Sequence, residues 1–444
     1  MPDTPSPPTA PDPVALLRSR SYLALVVFGA ILGVFVAVVA YFFLKAVGEA
    51  QHYIFATLPG EVGYATTPTW WPLPWLALCG LLVALTIRYL PGTAGHKPAE
   101  GFKTGGPVSP INLPGIVIAS FATLSLGAVL GPEAPLIAIG SGLGVLFVRL
   151  VKKDAPAQAS IVIGAAGSFA AISTLLGSPI AGAFLLLEAA GLAGPLLGVV
   201  LVPGLLAAGV GALIFVGLDS WTGFGTFSLA IPNIPPFGSP DGAEFLWAIA
   251  IGLAAAVLGA AIRWLALLLQ PIIERRMVLL MPFLGLAIAG LAIAFQEGSG
   301  HGYTNVLFSG QSALPTLVGD TANWTAGALT LLIACKGLAY GLSLSSFRGG
   351  PVFPGMFIGA AGGILFSHLP GLPPIAGVAI GIGALTVAML GLPFTSVLLV
   401  SILLPADAVP LMPLVIVAVV VSYVASAHFA PPKPSAAAET PAPA

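Results

Sequence analysis

The stretch Leu130-Gly131-Pro132-Glu133-Ala134-Pro135 carries the reading of this chain. A Gly-Pro pair stops the helix before it, and Pro135 fits the first turn of a new one. The new helix therefore begins around Glu133, with unpaired backbone N–H groups and the positive end of the helix dipole close by. Such an end attracts anions without a full positive charge. An ionised Glu133 can occupy that place itself and leave it when protonated; the plainer alternative is an ordinary N-terminal carboxylate. The surroundings are apolar, and backbone that breaks at membrane depth must be buried in protein or line a wet cavity.

The design recurs in Ser346-Phe347-Arg348-Gly349-Gly350-Pro351-Val352-Phe353-Pro354, where glycines permit close approach of backbone to a ligand and Pro351 or Pro354 opens a helix. Gly131-Pro132, Pro135 and Gly140 match Gly350-Pro351, Pro354 and Gly359. Leu176-Gly177-Ser178-Pro179 matches Leu390-Gly391-Leu392-Pro393, and Ala94-Gly95-His96 is echoed by Ser299-Gly300-His301. With 55 glycines and 42 prolines single matches arise by chance, but three in one order indicate an internal repeat. Broken apolar segments repeated in two halves are a transporter-type arrangement. Two helix N-termini aimed at one point would hold a dehydrated anion through main-chain amides.

Working outward, 57% of the residues are hydrophobic and 7% charged, against about 25% charged in a soluble domain. The mean hydropathy is +1.04, so most of the chain faces lipid or packed helices. At about 20 residues per crossing there is room for roughly a dozen membrane segments. The expected class is an all-α, polytopic integral membrane protein with two pseudo-repeated halves and broken helices. Residues 1–20 and 430–444 read as disordered tails, 21–217 and 242–429 as the two repeats, and 218–241 as an external linker. Tyr22–Phe43 is a retained crossing rather than a signal peptide. Arg18 and Arg20 put the N-terminus in the cytoplasm, with the clusters Arg149, Lys152, Lys153 and Arg275, Arg276 on the same side. A net charge of -1 without a basic tract excludes a nucleic-acid surface. Cys79 and Cys335 read as buried small hydrophobes. Five scattered histidines give no metal-ligand spacing, no Walker Lys-Ser/Thr follows the glycines, and no cofactor is expected.

These residues resemble the motifs of the CLC family of chloride channels and chloride/proton antiporters, in a divergent bacterial form. Gly131-Pro132-Glu133-Ala134-Pro135 is similar to the family's G-[KR]-E-G-P, whose Glu is the external gate. Gly349-Gly350-Pro351-Val352-Phe353-Pro354 is similar to G-G-x-F-x-P. Gly177-Ser178-Pro179-Ile180-Ala181-Gly182, with Leu187-Glu188 beyond it, resembles N-A-P-L-A-G and its downstream acidic pair, and Ala94-Gly95-His96-Lys97-Pro98 stands in the place of G-S-G-I-P. The resemblance runs from about residue 22 to 428. It implies an anion site built from Ala94, Gly95, His96, Pro132, Glu133, Ala134, Gly350, Pro351, Val352 and Phe353, with Glu133 as gate. It also implies a homodimer in the inner (plasma) membrane carrying chloride or similar monovalent anions. Departures bear on coupling. Gly95 has no hydroxyl where the family has a filter Ser, and Pro132 replaces the basic residue before the gate. The pair with the family's internal proton acceptor reads Glu188-Ala189, and the family's central-site Tyr falls after residue 430, in a Pro/Ala tail. They favour uncoupled, channel-like conductance with selection by amide dipoles. The alternative is a chloride/proton antiporter with a rearranged proton route in which Glu188 is a relay. The plainer reading of Glu188, and the one preferred, is a structural hydrogen bond to a neighbouring helix.

Lys336 and Arg348 either raise the potential felt by an anion or pair with Glu297 or a helix C-terminus. His96, Lys97 and His301 face a vestibule or are plain loop residues. A secondary transporter of a small organic solute would need side-chain hydrogen-bonders where these motifs offer Gly, Pro and aliphatics. An intramembrane enzyme would need a nucleophile with a partner, and Ser125, Ser173 and Ser343 have no His on their segments, so no enzymatic activity is expected.

Overall fold

Helix α1, Arg20–His52, opens the fold and outruns the apolar stretch Tyr22–Phe43 at both ends; Ser19 caps its start by accepting a hydrogen bond from the Tyr22 amide at 3.1 Å. In the computed structural model the described residues are 18–429, apart from 103–105, 152, 154–156, 192–194, 224–228 and 233–235. Of the tails expected over 1–20 and 430–444, residues 1–17 and 430–444 lie outside them, as does Lys152, whereas Ser19 and Arg20 already cap and open α1. After α1 come α2 (Pro72–Tyr89), α3 (Leu113–Ser125), α4 (Glu133–Val151), α5 (Ala157–Leu176), α6 (Pro179–Ala190) and α7 (Pro195–Thr222). The segment read as a linker from 218 is thus helical through Thr222. The later helices are α8 (Gly242–Arg275), α9 (Met277–Ser299), α10 (Ala326–Ser346), α11 (Val352–Ser367), α12 (Pro374–Leu390), α13 (Pro393–Leu403) and α14 (Ala408–Phe429).

Nine helices among the described residues are long and apolar enough to cross a membrane; α3, α6, α11, α12 and α13 are shorter apolar helices. The short ones abut the breaks that Gly and Pro mark in the sequence. Leu176 ends α5, Gly177 turns the chain at φ +62°, and Pro179 starts α6; Leu390, Gly391 at φ +70° and Pro393 do the same between α12 and α13. No strand occurs among the described residues. A single antiparallel bridge joins Gly131 to Gly350.

Glycine also sets the helix packing. A Cβ on Gly140 would strike the backbone of Gly167, and one on Gly144 the backbone of Ile163 and Gly164, so α4 and α5 touch backbone to backbone. The second half repeats this contact: Gly359 meets Gly381 and Gly363 meets Gly377 between α11 and α12. Small residues that let apolar helices approach closely are the usual adhesive within a membrane, where lipid is as apolar as Leu. The two tight pairs hold α4 and α11 rigidly, and these helices begin at the two recurring motifs.

Candidate functional site

Both motifs meet at one point. The Gly131 amide donates to the Gly350 carbonyl at 2.8 Å, and the Gly350 amide donates back to Gly131 at 2.6 Å. Equivalent residues of the two repeats thus bond reciprocally, the pattern made by a local two-fold relation. Glu133 lies beside this bridge, fully buried. Its Oε1 accepts from the Phe353 amide at 2.9 Å, in the first turn of α11. Its Oε2 has no hydrogen-bond partner. A Cβ on Gly131 or Gly350 would collide with the carboxylate, so glycine is required at both positions. Pro132, Gly350, Pro351, Val352 and Phe353 are all buried around it, with Ala134 half-buried. The carboxylate occupies a place where a first-half helix and a second-half helix both present free amide ends.

One helix holds the broken backbone in place. Lys336, Tyr340 and Ser343 fall on one face of α10, at the three- and four-residue spacing that lines side chains up. The Tyr340 hydroxyl donates to the Pro351 carbonyl at 2.7 Å, and the Ser343 hydroxyl accepts from the Val129 amide at 2.9 Å. Lys336, wholly buried, donates to the carbonyls of Asn305, Val306, Leu307 and Phe308 at 3.0–3.3 Å and lies 4.6 Å from the Phe357 ring centre. It binds a carbonyl turn, not Glu297. Tyr340 escapes the sequence reading; the polar spacing along an apolar helix was the available signal.

A cavity of about 360 Å³ reaches the site from one side, lined among others by Ala94, Gly95, His96, Ala134, Arg348 and Gly349. Ala94, Gly95 and His96 line this cavity, and none of them is bonded to the Glu133 carboxylate. The exposed His96 lies with Nε2 2.8 Å from the Gly101 carbonyl oxygen. Pro98–Glu100 is a single turn of 3-10 helix rather than the start of a long helix. Lys97 pairs with Glu274 at 2.7 Å. Arg348 donates to the carbonyls of Thr93, Ser346 and Phe347 and, like Lys336, does not pair with Glu297.

Glu188 is taken up elsewhere. Its carboxylate accepts from the amides of Phe394 and Thr395 at 2.9 and 2.7 Å and from the Thr395 hydroxyl at 2.7 Å, capping α13. The hydroxyls of Ser125, Ser173 and Ser343 donate to the carbonyls of Phe121, Ala208 and Ala339, so none is paired with a base. Among the described residues no group of His, Cys, Asp and Glu could hold a metal ion.

A helical bundle crossing the membrane several times, with two broken motifs meeting at a buried carboxylate, defines a polytopic ion-transport architecture. The model of the voltage gated chloride channel family matches residues 79–427. The chain belongs to this family, the CLC family, and CLC-type anion transport is the activity that membership carries. Sequence relatives include YfeO of Salmonella paratyphi A, named for ion transport, at 29% identity over 393 residues, covering 87% of this chain and 91% of YfeO. YfeO of Salmonella schwarzengrund is 30% identical over 394 residues, with the same coverage. The fold is similar to that of a slow cyanobacterial Cl-/H+ antiporter (TM-score 0.71, 19% identity, 90% of this chain and 94% of that one). It is also similar to a CLC-type fluoride/proton antiporter (TM-score 0.68, 19% identity, 92% and 96%).

Proposed function

We propose that this protein conducts chloride and similar monovalent anions, that Glu133 is its gate, and that anion flow is uncoupled from protons. The observation that carries the reading is the seat of Glu133. Its carboxylate stands in for an anion on the first amides of α11, with Oε1 bonded to Phe353 and Oε2 unpartnered. A buried oxygen that closes no hydrogen bond of its own gives up hydration for only the looser pull of the nearby Val352 and Glu133 amides, so the seat is readily vacated. Protonation removes the charge, weakens the bond to the amide and lets a free anion take the place. Gly131, Gly350 and the surrounding apolar side chains add no competing side-chain donors, which suits a small anion better than an organic solute.

Uncoupled flow follows from a poor supply of protons to Glu133. Ala189 cannot titrate, and Glu188 is engaged by three hydrogen bonds at the start of α13. A relay through it would have to break a satisfied cap. The second reading, an antiporter with a rearranged proton route, is favoured by the retained Glu133, which can exchange protons with the cavity beside Ala134.

The deciding experiment uses purified protein in liposomes with chloride and pH electrodes together, the voltage clamped by valinomycin and potassium. A tenfold proton gradient stores roughly 1.4 kcal/mol per proton, enough to drive a coupled protein uphill. The expected outcome is that chloride follows its own gradient with little proton movement. Chloride accumulation driven by a pH step alone would establish the antiporter.

A further inference from the structure

Arg348 has five N–H groups, and four are committed to backbone carbonyls. Nε and one Nη2 N–H meet the Thr93 oxygen at 3.2 and 3.1 Å, and Nη1 meets Ser346 at 3.0 Å and Phe347 at 3.2 Å. The fifth, on Nη2, has no hydrogen-bond partner among the described residues. The side chain is 5% exposed, and no carboxylate among the described residues lies within ion-pair distance of it. Glu274, paired to Lys97, and Glu100 act on it only at longer range. Carbonyl dipoles satisfy N–H groups but do not cancel a unit charge, and a buried charge calls for a counter-charge.

The cavity beside Glu133 opens onto this residue. Arg348 and Gly349 line it together with Ala94, Gly95 and Ala134. Opposite, the chain from Gly92 to Gly95 runs through four consecutive positive φ values of 78°, 49°, 58° and 92°. Thr93 and Ala94 carry Cβ atoms there, so the turn is strained. The two donors on the Thr93 carbonyl hold it in place.

We infer that Arg348 is an anion-binding residue, and that the cavity holds a weakly hydrated monovalent anion on the open edge of its guanidinium before the anion reaches Glu133. The inference rests on the transport reading above and adds to it a fixed cation. Selection then begins with a charge in the cavity rather than with amide dipoles alone. The guanidinium also supplies the donor that Gly95, without a hydroxyl, does not.

The test reads the field in the cavity directly. Ser109 lines the same cavity, so Ser109→Cys in the full chain places a thiol there. Cys79 and Cys335 are buried, and protein without the substitution gives their background. The thiol is modified with an anionic and a cationic methanethiosulfonate in detergent. The anionic reagent is expected to react faster by about tenfold after normalisation to a free thiol, and thiocyanate should slow it saturably. R348Q should abolish both effects and R348K should keep the charge preference. If R348Q does not fold, R348M takes its place, and charge preference and thiocyanate protection that survive in it overturn the inference. Equal rates with no protection overturn the inference. Chloride flux through the unsubstituted protein in liposomes separates the two claims. Flux without protection leaves the transport reading standing and removes the Arg348 site, whereas protection without flux does the reverse.

Discussion

Glu133 and Glu188 are two carboxylates of the first half, each seated on the N-terminus of a second-half helix, and they differ in how completely they are held. Glu188 spans the start of α13 with three hydrogen bonds shared between its two oxygens. Glu133 has one bond from the start of α11 and a buried oxygen with none. A carboxylate at a helix N-terminus is stabilising in either case, so position alone does not distinguish a cap from a gate. Saturation does. A carboxylate whose lone pairs are met gains nothing by leaving, whereas one left half-satisfied competes on nearly even terms with any anion that offers itself to the same amides.

The harshest way to break the contrast is Gly350→Ala, because the new Cβ lands on the Glu133 carboxylate at the bridge to Gly131. Chloride flux in liposomes should fall to background, with a stability loss of about 1–3 kcal/mol from overpacking. Gly362→Ala is the control, since its Cβ meets nothing within 4 Å. Normal flux through the Gly350 variant would show that the bridge is not at the pathway.

Glu133→Gln keeps the volume and removes the charge. Exchanging a charged hydrogen bond for a neutral one weakens the seat by roughly 1.4 kcal/mol, or about tenfold in occupancy. Flux should rise accordingly. Wild-type flux should climb as the pH falls, because acid empties the seat, while the variant stays flat across the same range. A variant with wild-type flux and wild-type pH dependence removes Glu133 from the gate.

Glu188→Gln should act on stability instead. Only one acceptor oxygen remains for donors that now use two, so the bond from the Phe394 amide is lost and the two from Thr395 weaken, at a cost of about 1–2 kcal/mol, seen as a lower melting temperature in detergent. Flux and its pH dependence should stay within about twofold of wild type, a change worth less than 0.5 kcal/mol by the same arithmetic. Loss of pH dependence here would make Glu188 a relay and erase the distinction drawn above. The mildest variant, Thr395→Val, deletes one of the three bonds and should lower stability by about 1 kcal/mol with no change in transport.

Much of this architecture is legible in the sequence because its determinants are local. Hydropathy separates membrane from water, and Gly or Pro at Gly131, Gly177, Gly350 and Gly391 breaks helices wherever they fall. The repeat follows from matching those breaks in order, and Glu133 stands out as a carboxylate just inside one of them. The partners of the charged side chains are a different matter. Lys336 settles on the carbonyls of residues 305–308, Arg348 on Thr93, and Glu188 on a helix some two hundred positions away. Ala94, Gly95 and His96, which motif matching assigns to the anion site, line the cavity beside Ala134, and the loop that brings them there could not be read from the motif. A charge in an apolar segment must find a partner, and composition says that much. Which backbone group lies within about 3 Å of it depends on how non-local loops close against the bundle, and that was decided by the tertiary structure alone.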